Sequence, residues 1–251
     1  MKGSLKLNHP LIAQRYFFPR HEPFKDVYFV ECNGVKLSCY YQNDHPGSKT
    51  IVFFHGNGEV VADYLDFFPS IFDQAGYNLF LFEFRGYGLS TGSPLLVEML
   101  KDVESVLKQL EIEEKDFIFY GRSVGSMYAI HAASLFPNAY ALILESGMAD
   151  VEERILMRLN DPSDIGATYE ELQAEFKTHF NTEAKLKSFK GRSFAMHTFN
   201  DQLVSVEHAE KLYSFLNEPK KKEIFERGDH NTIFFTNRDV YFNLIFDFLR
   251  E

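Results

Sequence analysis

Short runs that are apolar at consecutive positions, rather than at alternate ones, recur along this chain. Thr50-Ile51-Val52-Phe53-Phe54, Asn78-Leu79-Phe80-Leu81-Phe82, Asp116-Phe117-Ile118-Phe119-Tyr120 and Tyr140-Ala141-Leu142-Ile143-Leu144 are strand-length and rich in aromatic or β-branched residues. A strand with one wet face alternates apolar and polar side chains, so a strand apolar throughout needs cover on both faces. The stretches between the runs have helical character: residues 60–74, stopped by Gly76, a helix from Pro94 to about 110, and residues 124–135. Further on, 193–198 and 223–226 read as strands, and 205–216 and 239–249 as helices. Strands alternating with helices predict an α/β fold, a parallel sheet covered on both faces.

The opening segment differs. Residues 27–41 read as a hairpin around Asn33-Gly34, a strong two-residue turn signal. That turn pairs Cys32 with Val35 and Cys39 with Tyr28. The two cysteines then face one side about 13 Å apart, at ~3.4 Å per residue. A disulfide needs Cα atoms within about 7 Å, so none is expected.

At 251 residues, 45% hydrophobic and 25% charged, the chain has ordinary globular proportions and can bury a large core. With 26 Lys+Arg against 36 Asp+Glu, the formal charge is −10. That balance argues against nucleic-acid partners and against an anionic membrane surface. The N-terminus lacks the apolar stretch of a signal peptide, and no run approaches the ~20 apolar residues of a membrane span. A cytoplasmic protein is the expectation. The oligomeric state is not legible.

Residues 148–190 break the alternation. They are charged and helical, with helices expected at 151–159 and 169–180 around Asp161-Pro162-Ser163-Asp164. The segment is too long for an ordinary loop. It reads as a small helical lid inserted into a single domain of residues 1–251, the alternative being helices packed away from any site.

Gly121-Arg122-Ser123-Val124-Gly125 lies between a strand and a helix, the setting of a nucleophile elbow. A serine nucleophile needs a base, and the base needs an orienting carboxylate. His230 follows the last strand and Asp201 follows the strand 193–198, so the catalytic candidates run Ser123, Asp201, His230. Glu145, at the end of another strand, is a second candidate acid for His230, or else pairs with Arg122 or braces the lid hinge. An oxyanion hole takes one backbone N–H from the residue after the nucleophile and one from the loop after the third strand. Val124 and Asn57, in His55-Gly56-Asn57-Gly58, are the candidates. The same loop could cradle a phosphate, but neither a P-loop lysine nor G-x-G-x-x-G is present.

Four blocks together carry a resemblance: Phe54-His55-Gly56-Asn57-Gly58-Glu59, Arg85-Gly86-Tyr87-Gly88-Leu89-Ser90, the Ser123 elbow, and the Asp201 and His230 segments. Over residues 27–249 the chain resembles the alpha/beta-hydrolase superfamily, in its compact serine aminopeptidase-like branch. It departs from that pattern at Glu83, Thr198 and Ser205, where Asp, Gly and Pro are usual. The resemblance implies about eight mostly parallel strands with the lid after strand six. It implies hydrolysis through an acyl-enzyme, with no cofactor and no metal. A small-molecule acyl ester or thioester is the expected substrate. A serine aminopeptidase-like peptidase and a non-catalytic binding protein are the alternatives. The apolar residues Met148, Ile155, Leu156, Leu159, Phe176 and Phe180 of the insertion are candidates for an acyl wall.

Overall fold

A computed structural model of the chain describes residues 5–251. Its strands are β1 (Tyr28–Cys32), β2 (Val35–Gln42), β3 (Thr50–Phe54), β4 (Asn78–Phe82), β5 (Phe117–Arg122), β6 (Ala141–Glu145), β7 (Arg192–Thr198) and β8 (Lys220–Phe225). They form one eight-stranded sheet in the order β1-β2-β4-β3-β5-β6-β7-β8. β2 is antiparallel to both β1 and β4, and the pairs from β4 through β8 are parallel. The hairpin register is the one the Asn33-Gly34 turn demands, with Cys32 opposite Val35 and Cys39 opposite Tyr28. Both turn residues have positive φ, 47° and 80°, as a twist-matched two-residue turn needs. Both cysteines are free and buried.

The helices are α1 (Pro10–Tyr16), α2 (Phe68–Gln74), α3 (Glu98–Gln109), α4 (Gly125–Leu135), α5 (Val151–Leu156), α6 (Tyr169–His179), α7 (Thr182–Ser188), α8 (Glu207–Phe215), α9 (Ile233–Thr236) and α10 (Arg238–Arg250). Side chains alternate across each strand, so the sheet divides the core in two. Val52 and Phe54 join the side packed by α1, α3 and α4. Ile51 and Phe53 join the side packed by α2 and α10. Continuous apolar runs are the sequence consequence of that double cover.

Three expectations are corrected. The helix expected over 60–74 is a single 3-10 turn, Val61–Asp63, followed by α2. Pro69 is the reason: without an N–H it belongs in a helix's first turn, not its interior. The helix expected from Pro94 begins at Glu98. Its first turn is capped from far away, where Asn8 Oδ1 accepts from the N–H groups of Val97 and Glu98 at 2.8 and 3.3 Å. The last strand starts at Lys220 rather than at 223. Its lysines sit on a sheet edge, where charge discourages pairing with another chain. Among the described residues no helix is long and apolar enough to cross a membrane.

Candidate active site

The elbow is built by close packing. Ser123 has φ 51°, in the left-handed region, and its N–H donates to Glu145 O at the end of β6 (2.9 Å). The glycines around it let α4 lie directly on the sheet. A Cβ on Gly125 would fall 2.0 Å from Phe54 O, and one on Gly121 would fall 2.6 Å from Ala129 Cβ. The serine is thus lifted past the carboxyl end of β5 on a turn that other side chains would prevent.

The structure brings the three residues singled out from the sequence together. His230 Nε2 lies 2.8 Å from Ser123 Oγ, and His230 Nδ1 lies 2.7 Å from Asp201 Oδ2. All three are buried, at 6–8% exposure. Asp201 is held from four directions. Its Oδ1 accepts from the N–H groups of Leu203 (2.9 Å) and Val204 (2.8 Å), and His197 Nε2 approaches Oδ2 at 3.2 Å. Burial pushes this carboxyl up, but hydrogen bonds from His197, His230 and the Val204 N–H outweigh it and hold it below the usual carboxylate range.

Among the described residues, the backbone N–H groups of Asn57 and Val124 donate to no protein acceptor. The Asn57 side chain fixes its loop. Oδ1 accepts from Phe18 N–H (2.9 Å) and Tyr87 O–H (2.8 Å), while Nδ2 donates to Tyr16 O (2.6 Å). The Arg85 block supports this arrangement from behind. A buried bidentate Arg85–Asp102 pair, both bonds 2.6 Å, anchors the loop that presents Tyr87. Below the loop, His55 Nε2 lies 3.3 Å from Glu83 Oε2, and Glu83 Oε1 accepts from Val61 N–H at 2.8 Å.

Glu145 faces another way. Its Oε2 accepts from the hydroxyls of Tyr120 and Tyr241, and Arg122 Nη1 lies 3.5 Å from its Oε1. Arg122 also pairs with Glu59 at 3.0 Å. The imidazole's carboxylate partner is Asp201, not Glu145.

Two pockets meet here. One, of about 240 Å³, is lined by Ser123, His230, Asn57 and Val124 together with Tyr16, Phe18, Arg154 and Arg158. The other, of about 220 Å³, is aromatic, with Phe67, Phe234 and Phe235 among its walls, and shares Glu59 and Asn231 with the first. Of the apolar residues expected to wall an acyl site from the insertion, Met148 alone lines the pocket with Ser123. Ile155 and Leu159 instead pack beside Ile12 and Tyr16 of α1. Phe176 and Phe180 are buried in the same core. The helices of the insertion bury their apolar side on the body, which leaves arginines to reach the pocket.

Sequence reading missed Tyr16, Phe18, Arg154 and Arg158. For the first two a signal existed: Asn8-His9-Pro10 is a helix start, with His9 Nδ1 accepting from Leu11 N–H at 3.1 Å and Pro10 at the first helical position. For the arginines the signal was their spacing of four inside the helix expected at 151–159, which would put both on one face; α5 in fact ends at Leu156, and Arg158 lies in the turn that follows it.

This strand order, with helices on both faces and a serine on a tight strand-to-helix turn, is the alpha/beta-hydrolase fold. The family model described as serine aminopeptidase, S33, matches residues 45–178, more than half of the chain, and the chain belongs to that family of hydrolases. Among curated relatives, the human alpha/beta hydrolase domain-containing protein 17B is 24% identical over 215 residues, covering 81% of this chain and 70% of that protein. An uncharacterized membrane protein of Saccharomyces cerevisiae is 24% identical over 238 residues, covering 91% and 80%. Among solved structures, the Pyrococcus furiosus esterase Pf2001 superposes with a TM-score of 0.73 at 19% identity, covering 94% of this chain and 98% of that one. A bromoperoxidase from Bacillus anthracis gives 0.65 at 15% identity, covering 90% and 100%.

Proposed function

We propose that this chain hydrolyses carboxylic esters or thioesters through an acyl-enzyme. The observation that carries the reading is the unbroken line Ser123 Oγ to His230 Nε2 (2.8 Å) and His230 Nδ1 to Asp201 Oδ2 (2.7 Å). Ser123 Oγ attacks the carbonyl carbon while its proton passes to His230 Nε2. The carbonyl oxygen takes the charge and is held by the N–H groups of Asn57 and Val124. The bond to the leaving group then breaks, and His230 returns the proton to the departing oxygen or sulfur. Water repeats the sequence, losing a proton to His230 as it attacks the acyl carbon, and Ser123 leaves with that proton. Asp201 keeps Nδ1 protonated and stabilises the imidazolium. Residues 148–190 serve as the lid of a single domain.

An aminopeptidase would need a free carboxylate for the substrate amine. Glu59 is the one carboxylate among the residues lining the pocket with Ser123, and it is engaged by Arg122, by the Gly56 N–H and by the Tyr64 hydroxyl. That supports the ester reading over the peptidase reading.

A fluorophosphonate should label Ser123, and a short-chain 4-nitrophenyl ester should turn over. Ser123→Ala should abolish labelling and lower turnover by on the order of 10⁴ or more. Labelling that survives the substitution would sink the assignment.

A further inference from the structure

The chain carries a formal charge of −10, yet the pocket around Ser123 is lined by two guanidiniums, Arg154 and Arg158. Both come from α5 and the turn that follows it. Neither makes an ion pair among the described residues. The nearest partner of Arg154 is a weak acceptor, Met157 Sδ, at 3.3 Å. Arg158 lies with its Cζ 6.0 Å from the centre of the Phe18 ring. The carboxylates nearby in sequence are not paired with them: Asp150 caps the Glu153 N–H and pairs with Lys211, Asp161 caps the Ser163 N–H, Asp164 pairs with Arg15, and Glu152 and Glu153 make no ion pair among the described residues. Glu59, the carboxylate that shares the pocket, is paired with Arg122. Two half-exposed or exposed guanidiniums without an ion-pair partner among the described residues, four residues apart and lining one pocket, suit a carboxylate or a phosphate.

We infer that the ester or thioester cleaved here carries an anionic group, held by Arg154 and Arg158 while Ser123 attacks its carbonyl. This deepens the proposed function and rests on it. A purely neutral acyl ester would leave both guanidiniums facing solvent. The aromatic pocket beyond Glu59 and Asn231 is separate from the arginines, so an apolar portion and an anionic portion of one substrate have distinct places to lie.

Two matched pairs test the charge and identify its source. The carboxylate pair is the 4-nitrophenyl monoester of adipic acid against 4-nitrophenyl hexanoate. The phosphate pair is hexanoyl-coenzyme A against the hexanoyl thioester of N-acetylcysteamine. The readout is the ratio of kcat/KM, anionic over neutral, within each pair. In one pair the ratio should exceed unity by about tenfold, the scale of one hydrogen-bonded charge contact. Arg154→Gln and Arg158→Gln should each reduce it by about that factor, and the corresponding Lys variants should restore part of it. Raising the salt concentration should lower the ratio in the wild type. The pair that responds assigns carboxylate or phosphate. Ratios near unity in both pairs, or ratios that the Gln variants leave intact, overturn the inference while leaving the hydrolase reading in place. A chain that hydrolyses none of the four compounds overturns both.

Discussion

Asp201 and Glu145 are buried carboxylates just past or at the ends of neighbouring strands, and their hydrogen bonds give them different roles. Asp201 meets the imidazole and the N–H groups of its own loop, whereas Glu145 meets two tyrosine hydroxyls and Arg122. Asp201→Asn should lower kcat by ~10⁴, because an amide favours the wrong imidazole tautomer. Glu145→Gln should leave kcat within about tenfold and instead cost roughly 1–3 kcal/mol of stability, since Arg122 loses a counter-charge. Steady-state rates and thermal melts of the two variants check the pair, and a larger kcat loss in Glu145→Gln would exchange the assignments. The His55–Glu83 pair offers a pH test. Burial would lower the His55 pKa, but the hydrogen bond and charge of Glu83 outweigh it and raise it above its ordinary value. A raised histidine contributes stability that is complete below the unfolded value of ~6.5 and fades as pH rises through the folded value. Glu83→Gln should therefore cost more stability at pH 6 than at pH 9. Equal losses at the two pH values would mean that the imidazole is neutral throughout.

Elements are legible in the sequence where their causes are local. Asn33-Gly34 sets the hairpin and its register, and the consecutive apolar runs mark β3 to β6. Legibility fails where the cause sits elsewhere in the chain. The start of α3 depends on Asn8, about ninety residues away, which accepts from its first N–H groups. Pro69 is the exception, a local signal that places the start of α2 against the apolar pattern around it. The apolar side chains of α5 and α6 are legible as an amphipathic pattern, but the pattern alone does not say which surface they cover. They cover the core, so α5 presents Arg154 rather than Ile155 to the pocket. The placement of α5 rests on its cap. Asp150 Oδ1 accepts from Glu153 N–H at 3.0 Å, and Lys211 lies 3.2 Å from Oδ2. Burial raises the Asp150 pKa, but the cap and Lys211 outweigh it and leave the group below its ordinary range. Asp150→Ala should lower stability by about 1 kcal/mol. Faster amide exchange confined to residues 151–156 would locate the loss in α5, and unchanged exchange there would show that the cap holds nothing in place.

The whole molecule joins at its N-terminal segment. The order Ser123, Asp201, His230 is readable because each residue follows a strand that ends at the same edge of the sheet, although 107 positions separate Ser123 from His230. What lies over that edge is not readable, because it depends on contacts between distant polar groups that leave no periodic mark. The carboxylate of Glu175 in α6 accepts from the backbone N–H groups of Lys6 and Leu7, both at 2.9 Å. Arg15 pairs with Asp164 of the insertion at 2.8 Å. Tyr16 O and Phe18 N–H then bind the Asn57 side chain, and the Tyr16 hydroxyl reaches Met148 Sδ at 3.4 Å. One short stretch thus ties the insertion to the loop proposed to hold the oxyanion. Glu175 is its far anchor and is not among the residues lining the pocket with Ser123. Removing that carboxylate leaves two backbone donors unpaired next to buried Leu7, a loss of about 1–3 kcal/mol. At ~2–4 °C per kcal/mol for a domain of this size, Glu175→Ala should lower Tm by several degrees. Trypsin should then cleave at Arg15 and Arg20 sooner than elsewhere. Because Asn57 loses part of its support when Tyr16 and Phe18 loosen, kcat should fall more than KM rises. A lower Tm with kcat intact would separate the two ends of the segment and show that Asn57 keeps its place without α1.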